Sequence, residues 1–440
     1  MKPRSIFVVL VATILTLSQA HATNGYFAHG YSAKNKAMAG AGVALPQDAL
    51  AAAVNSAGTL HVGKRIDAGA ALFSPPREYT QKADSAINGD PPLPIGSNRD
   101  FTGTVESSSD YFLMPHFGYT RPLGNDKAFG IAVYGNGGLN TDYDAADTTG
   151  GLGTFGAGTA GIDLSQLFVN FSYAGQVSDG LTLGASAIVA LQRFKARGLS
   201  SLAGLVADGN ADTLSDNGYE VSYGFGGQFG ALWQASDRWS FGASYQTKMF
   251  MTEFDDYSDL FAKQGEFDIP PTATIGLAFA ASDALTLVAD VQHIWYGDIP
   301  SLSNPMSESL VACFSGDARF CLGGDKGAGF GWDDVTVYKI GAQWDLRPDW
   351  TLRAGFSTTE QPVPTSGVLF NVLAPAVVED HYTLGLTKRF GNNNALTLAT
   401  MYAPRNDLDC GCTLPITGGA ESINIAMEQW ELEVSYAWRF

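Results

Sequence analysis

Polar and apolar residues alternate along most of this chain with a period of two. In "YEVSYGFGGQFGALW" (219–233) the odd positions carry Tyr219, Val221, Tyr223, Phe225, Phe229 and Trp233. The even positions carry Glu220, Ser222, Gln228, three glycines and a single Leu232. In "WELEVSYAWRF" (430–440), Trp430, Leu432, Val434, Tyr436, Trp438 and Phe440 share one face, opposite Glu431, Glu433, Ser435, Ala437 and Arg439. Such alternation predicts strands with one apolar face. The runs are long beside a soluble strand of about 5–6 residues. A strand of about ten residues, rising ~3.3 Å each and tilted by about 40°, instead covers an apolar band of ~25 Å. Aromatic residues at both ends of the runs suit the two membrane interfaces.

Short turns recur between these runs: "RPLGNDK" (121–127), "VSDG" (177–180), "ASDR" (235–238), "ASDA" (281–284), "LRPD" (346–349) and "FGNNN" (390–394). Between successive turns the chain goes out on one strand, makes a longer connection and returns on another. The pattern predicts fourteen strands, over 65–75, 109–120, 127–135, 163–176, 181–196, 218–235, 239–252, 267–281, 285–297, 332–346, 350–360, 380–390, 394–404 and 429–440. An even count, with short turns on one side and long loops on the other, is the layout of an all-β, antiparallel transmembrane β-barrel. A soluble pair of sandwiches would have to bury the outward rows between sheets, and it predicts no asymmetry of loop length.

Other features narrow the class. Residues 1–22 carry basic Lys2 and Arg4, the apolar run "IFVVLVATILTL" (6–17) and "AHA" (20–22), and are expected to be a secretory signal peptide. No later stretch reaches the 18 apolar residues of a membrane-spanning helix. The formal charge of −18, with no basic stripe, argues against nucleic acid. Cys313, Cys321, Cys410 and Cys412 allow three disulfide connectivities. The tight Cys410–Cys412 spacing favours cross-pairing with Cys313 and Cys321. With no CxxC pair or histidine cluster, neither a metal nor a cofactor is expected.

Two segments break the alternation. Residues 23–64 show no period of two, and their Ala-rich pieces around 33–38 and 47–53 predict short helices. Fourteen tilted strands enclose more space than side chains fill, so this small-residue, low-charge segment is expected to plug the lumen of the barrel formed by 65–440. In "AFGIAVYGNGGL" (128–139) a well-patterned third strand runs into Gly135, Asn136, Gly137 and Gly138. Glycine in a strand marks a bulge, a bend or a close backbone approach. Taken alone, the cluster reads as a strand ending in the Gly-rich loop at 148–161.

Over essentially all of the chain beyond residue 22, the sequence resembles the FadL-type outer-membrane transporters of long-chain fatty acids and other hydrophobic compounds. "MAGAGVALPQDALAAAVNSAG" (38–58) resembles that family's hatch, with Asn55, Ser56 and Ala57 where its Asn-Pro-Ala motif stands, so the proline is missing. "FDIPPTATIGLAFAASDALTLVADVQHIWYGDIPSL" (267–302), "GWDDVTVYKIGAQW" (331–344), "LRAGFSTTEQPVP" (352–364) and "LAPAVVEDHYTLGL" (373–386) are similar to its strand motifs. The resemblance implies a hatch-plugged barrel, capture of ligand by apolar outer loops, an internal pocket, and lateral release through a kink in the third strand. It thereby makes Gly135–Gly138 a lateral gate.

Leu199, Leu202, Leu205 and Val206 recur at helical spacing in one long loop, and Phe250, Phe254, Leu260 and Phe261 crowd another. These residues resemble the family's outer binding groove, and they would equally well pack on each other to close the mouth. Arg197 resembles a basic residue of the family's inner pocket and is a candidate for a ligand head group. Yet Arg193, Lys195 and Arg197 share the outward face with Leu183 and Val189, which directs them to lipopolysaccharide phosphates.

Rival classes fare less well. An enzyme would need an acid–base set; His293 lies mid-strand among apolar residues, and His381, beside Glu379 and Asp380, reads as a rim residue. A general porin would have a charge-lined lumen and no hatch, and a receptor or adhesin would show no transport. The terminal Phe440, closing an alternating strand, resembles a signal for the barrel assembly machinery. A monomer is expected.

Overall fold

The structure, a computed structural model, describes residues 24–82, 102–391, 394–410 and 422–440. The predicted signal peptide and Cys412 lie outside these residues. Fourteen antiparallel strands close into one barrel. They are β1 (Arg65–Ser74), β2 (Phe112–Pro122), β3 (Lys127–Asn140), β4 (Gly161–Ser178), β5 (Leu181–Arg197), β6 (Glu220–Gln234), β7 (Trp239–Gln246), β8 (Thr272–Ala280), β9 (Leu285–Ile294), β10 (Val335–Arg347), β11 (Trp350–Thr358), β12 (Asp380–Arg389), β13 (Ala395–Asp409) and β14 (Ser422–Arg439). The barrel shuts where β1 meets β14, in register from Arg65↔Arg439 to Ser74↔Trp430. All fourteen predicted strands are present.

Burial is inverted relative to a soluble protein. On β6 the odd row faces outward, with Phe225 68% exposed, while Ser222 and Gln228 are buried inside. On β14, Leu432, Val434 and Trp438 face out, and Glu431 and Glu433 are buried. Only a hydrocarbon surround makes that arrangement favourable, because closure pairs every strand and leaves apolar side chains for lipid.

Boundaries shift where tertiary pairing or proline chemistry intervenes. β8 starts at Thr272, not 267, because Pro270 and Pro271 have no backbone N–H to give a ladder. β3 was expected to end at 135 but runs to Asn140, so the glycine cluster lies inside the strand.

The segment from Asn24 to Lys64 is lodged within the barrel. It contains α1 (Ala33–Lys36), α2 (Ala51–Val54) and a 3-10 turn (Ser56–His61). Its backbone is held from several sides of the wall. Ala39 N–H donates to Thr383 on β12 (2.9 Å), Gly42 and Val43 N–H to Asp290 on β9 (2.7 and 2.9 Å), and Ala49 N–H to Asp67 on β1 (2.9 Å). The wall makes room with inward glycines. A Cβ on Gly118 would come within 2.8 Å of Ala49, and on Gly355 it would strike Met38 and Ala39.

The cysteine expectation is corrected. Cys313 pairs with Cys321, eight residues away, within one long loop. Cys410 is disulfide-bonded as well. The helix Met306–Phe314 and the turn Ala318–Phe320 bring Cys313 back to Cys321, a local reversal that spacing alone does not reveal.

Candidate functional site

The wall has a break at β3. The β2–β3 ladder runs from Pro122↔Ala128 to Phe117↔Val133 and stops there. Beyond it β2 stays paired with β1 as far as Phe73↔Phe112, and β3 stays paired with β4 as far as Asn140↔Asp163. The facing edges, 112–116 and 134–140, therefore diverge. Ser108 N–H donating to the Asp142 carbonyl (2.8 Å) joins the wall again above them.

A bulge opens this window. Gly135 pairs with Leu167 and Gly137 with Gln166, leaving Asn136 as the extra residue. A bulge bends its strand and increases local twist. The edge that β3 withdraws from β2 is taken by the N-terminal segment. Ala28 N–H donates to the Asn136 carbonyl (2.9 Å), and Gly138 N–H donates to the Tyr26 carbonyl (3.1 Å). Gly137 permits this close approach, since a Cβ there would strike the Tyr26 carbonyl and come within 2.9 Å of its ring. The glycine cluster is thus a bulge with a backbone docked on it, not a strand end.

The apolar loops are sealed rather than open. Leu199, Leu202, Leu205, Val206, Phe254, Leu260 and Phe261 are all buried. Phe194 gathers Phe254, Tyr257 and Phe261 at ring distances of 5.6, 4.8 and 4.7 Å. Phe250 departs from the predicted groove: it pairs with Phe225 of β6 and is 56% exposed on the outer wall. Backbone bonds stitch the mouth shut, from Leu322 N–H to Leu205 (2.8 Å), Lys263 N–H to Gly324 (2.9 Å) and Gln264 N–H to Gly323 (2.9 Å). One contiguous apolar cluster nevertheless joins these residues to Phe267, Tyr26, Tyr296 and Trp332, and onward to Tyr134 at the window.

Arg197 does not reach the lumen. It lies on the outward face of β5 and is ion-paired with Asp142, while Arg193 and Lys195 stack on Tyr219 at 4.2 and 4.5 Å. Of the motif residues, Asn55 donates to Val43 and Ala231 (2.8 and 3.0 Å) and accepts from Ala57 N–H (3.0 Å). Ser56, in the place of the missing proline, bonds Ser186 and Gln228. His381, read as a rim residue, is fully buried and stacks on His29 at 5.9 Å.

Sequence reasoning missed the ion cluster that seats α1. Lys36 Nζ meets Glu431 (2.8 Å) and Glu433 (3.0 Å), and His116 Nδ1 lies 3.3 Å from Glu433. Alternation had put both glutamates on the inward face of β14; only the fold brings Lys36 to them. A polar cavity of about 30 Å³ between the segment and the wall, lined by His29, Gln228, Gln246, Gln292 and Lys339 among others, has room for little more than water.

The sequence matches the family of outer membrane protein transport proteins (OMPP1/FadL/TodX) over residues 14–407. The chain belongs to this family. A long-chain fatty acid transport protein of Salmonella typhi is 26% identical over 277 residues, which are 57% of this chain and 61% of that protein. The match thus spans less than two thirds of that relative. Among solved structures, the Pseudomonas putida toluene transporter TodX superposes with a TM-score of 0.65 at 18% identity, covering 94% of this chain and 99% of that one. A Pseudomonas aeruginosa FadL homologue gives 0.67 at 16%, covering 94% and 100%. These likenesses concern the fold. Family membership and a closed barrel with an apolar outer surface place this family member in the outer membrane.

Proposed function

We propose that this outer-membrane protein is a passive, non-enzymatic channel for hydrophobic compounds, either long-chain fatty acids or hydrocarbons. An apolar solute gains about 25 cal/mol per Å² on leaving water, so it travels best between greasy sites, each weak enough to leave. Ligand is captured as the packed apolar loops move apart, follows the cluster through Phe267 and Tyr26, and leaves sideways at Gly135–Gly138. The segment 23–64 serves as the hatch that denies the lumen to polar solutes. Arg193, Lys195 and Arg197 face lipopolysaccharide phosphates, and the channel works as a monomer.

The observation that carries this reading is the end of the β2–β3 ladder at Phe117↔Val133. Continuously paired strands cannot pass a ligand sideways, whereas a window backed by an apolar cluster can. The test compares uptake of radiolabelled oleate and toluene by cells with and without the gene. Equal uptake would refute transport and leave a receptor or adhesin. A large steady current through the intact protein in planar bilayers would instead make it a general porin.

A further inference from the structure

A chain of buried amides leads away from the window. Asn136 Nδ2 donates to Gln166 Oε1 on β4 (2.9 Å), Gln166 Nε2 donates to Gln192 Oε1 on β5 (2.9 Å), and Gln192 Nε2 donates to the Phe267 carbonyl (2.8 Å). All three amides are buried. Phe267 lies just before β8, with its ring 4.8 Å from Phe261 of the mouth and 6.5 Å from Tyr26 behind the window.

The order of donors along this chain has one solution. A backbone carbonyl only accepts, so Gln192 must turn its NH₂ to Phe267 and present its oxygen to Gln166. Gln166 in turn presents its oxygen to Asn136, whose own oxygen faces the Tyr31 hydroxyl (3.4 Å). Flipping Gln166 or Gln192 breaks two bonds at once, and in a water-poor interior each broken bond strands a polar group. The orientation of Gln192, two strands away and bonded to the Phe267 turn, is therefore sensed at the bulge.

We infer that Gln166 and Gln192 are positioning residues. They fix the bulge at Asn136 and tie it to the Phe267 turn, so that ligand displacing Phe267 on its way inward also loosens the window. The consequence for transport rests on the window being the exit; the mechanical coupling does not.

The test uses the full chain in lipid nanodiscs, with Gln166→Met, Gln192→Met and the double variant. Methionine keeps the volume and removes the donor and acceptor. Hydrogen exchange is followed over 134–140. Each single variant is expected to speed exchange at Gly137 and Gly138 about tenfold, and the double variant no further, because a chain broken once is broken. Exchange within twofold of the parent, or singles that multiply to about a hundredfold, would overturn the coupling. Thr397→Val is the control, since Thr397 is a buried residue of β13 that bonds Thr387 (2.9 Å), on strands that carry none of the chain's amides. If it speeds exchange equally, the effect is general loosening and the inference fails. Faster exchange with unchanged oleate and toluene uptake would uphold the coupling and refute the exit.

Discussion

Replacing Gly137 by valine tests the window directly. The new Cβ would occupy the space of the Tyr26 carbonyl, so either Tyr26 or β3 must move. β3 is anchored along β4 by thirteen paired positions, whereas Tyr26 is held by far less, so the N-terminal segment gives way. Its release loses the Ala28–Asn136 and Gly138–Tyr26 hydrogen bonds, each about 0.5–1.5 kcal/mol. It also disturbs the Tyr26 ring contacts with Tyr296 (5.6 Å) and Trp332 (6.0 Å), each about 0.5–1.5 kcal/mol beyond area burial. Together these run from about 2 to 6 kcal/mol, and the midpoint near ~4 kcal/mol moves the seating equilibrium by roughly three orders of magnitude. The barrel itself stays folded, because its ladders are untouched. G137V is therefore expected to migrate as a folded barrel in heat-modifiability gels. It should gain a protease-sensitive N-terminus and a raised bilayer conductance, and it should lose directed uptake of oleate and toluene. Parent-like uptake with parent-like conductance and proteolysis would show that Tyr26 does not depend on Gly137, and the docking argument would fall.

Other outcomes follow from the same geometry. Lys36→Met leaves Glu431 and Glu433 without their cation; it should weaken hatch seating by about 3–5 kcal/mol, read as conductance, and Glu431→Gln with Glu433→Gln in the same chain should restore much of it. Serine at Cys313 and Cys321 frees a loop closed at a separation of eight residues, worth about 2.5 kcal/mol by chain entropy, and should make 306–324 the first site of proteolysis. Burial, aided by the Arg65 charge, lowers the Lys34 ammonium from 10.5 to about 7. The released segment holds that proton to higher pH than the seated one, so seating should strengthen as pH rises from about 7 towards 10. Lys34→Met should flatten that dependence in a conductance titration, and an unchanged slope would show that Lys34 is not its source. Deleting Phe440 should reduce membrane insertion, and normal insertion would remove its role as an assembly signal.

The strands were legible because alternation is local. A period of two tells which side chains share a face without knowing any partner, and β6 and β14 emerge with the faces read from their residues. Even the window left a mark, as the glycines that a bulge and a close backbone approach require. Its nature was not legible. Whether Gly135–Gly138 ends a strand or bends one depends on Tyr26 and Ala28 docking on its edge, more than a hundred residues away in the chain. The loops show the same division. Their apolar spacing was plain, but the packing was not: Phe254 is held against Phe194 of β5, and Leu205 takes a backbone bond from Leu322 of another loop. Lys36 met Glu431 across 395 positions, and no local pattern could pair them. Periodicity follows from backbone geometry and is written residue by residue. Docking, the break in the wall and charge pairing follow from closure of the barrel, which brings distant residues into one low-dielectric space where each must find its partner.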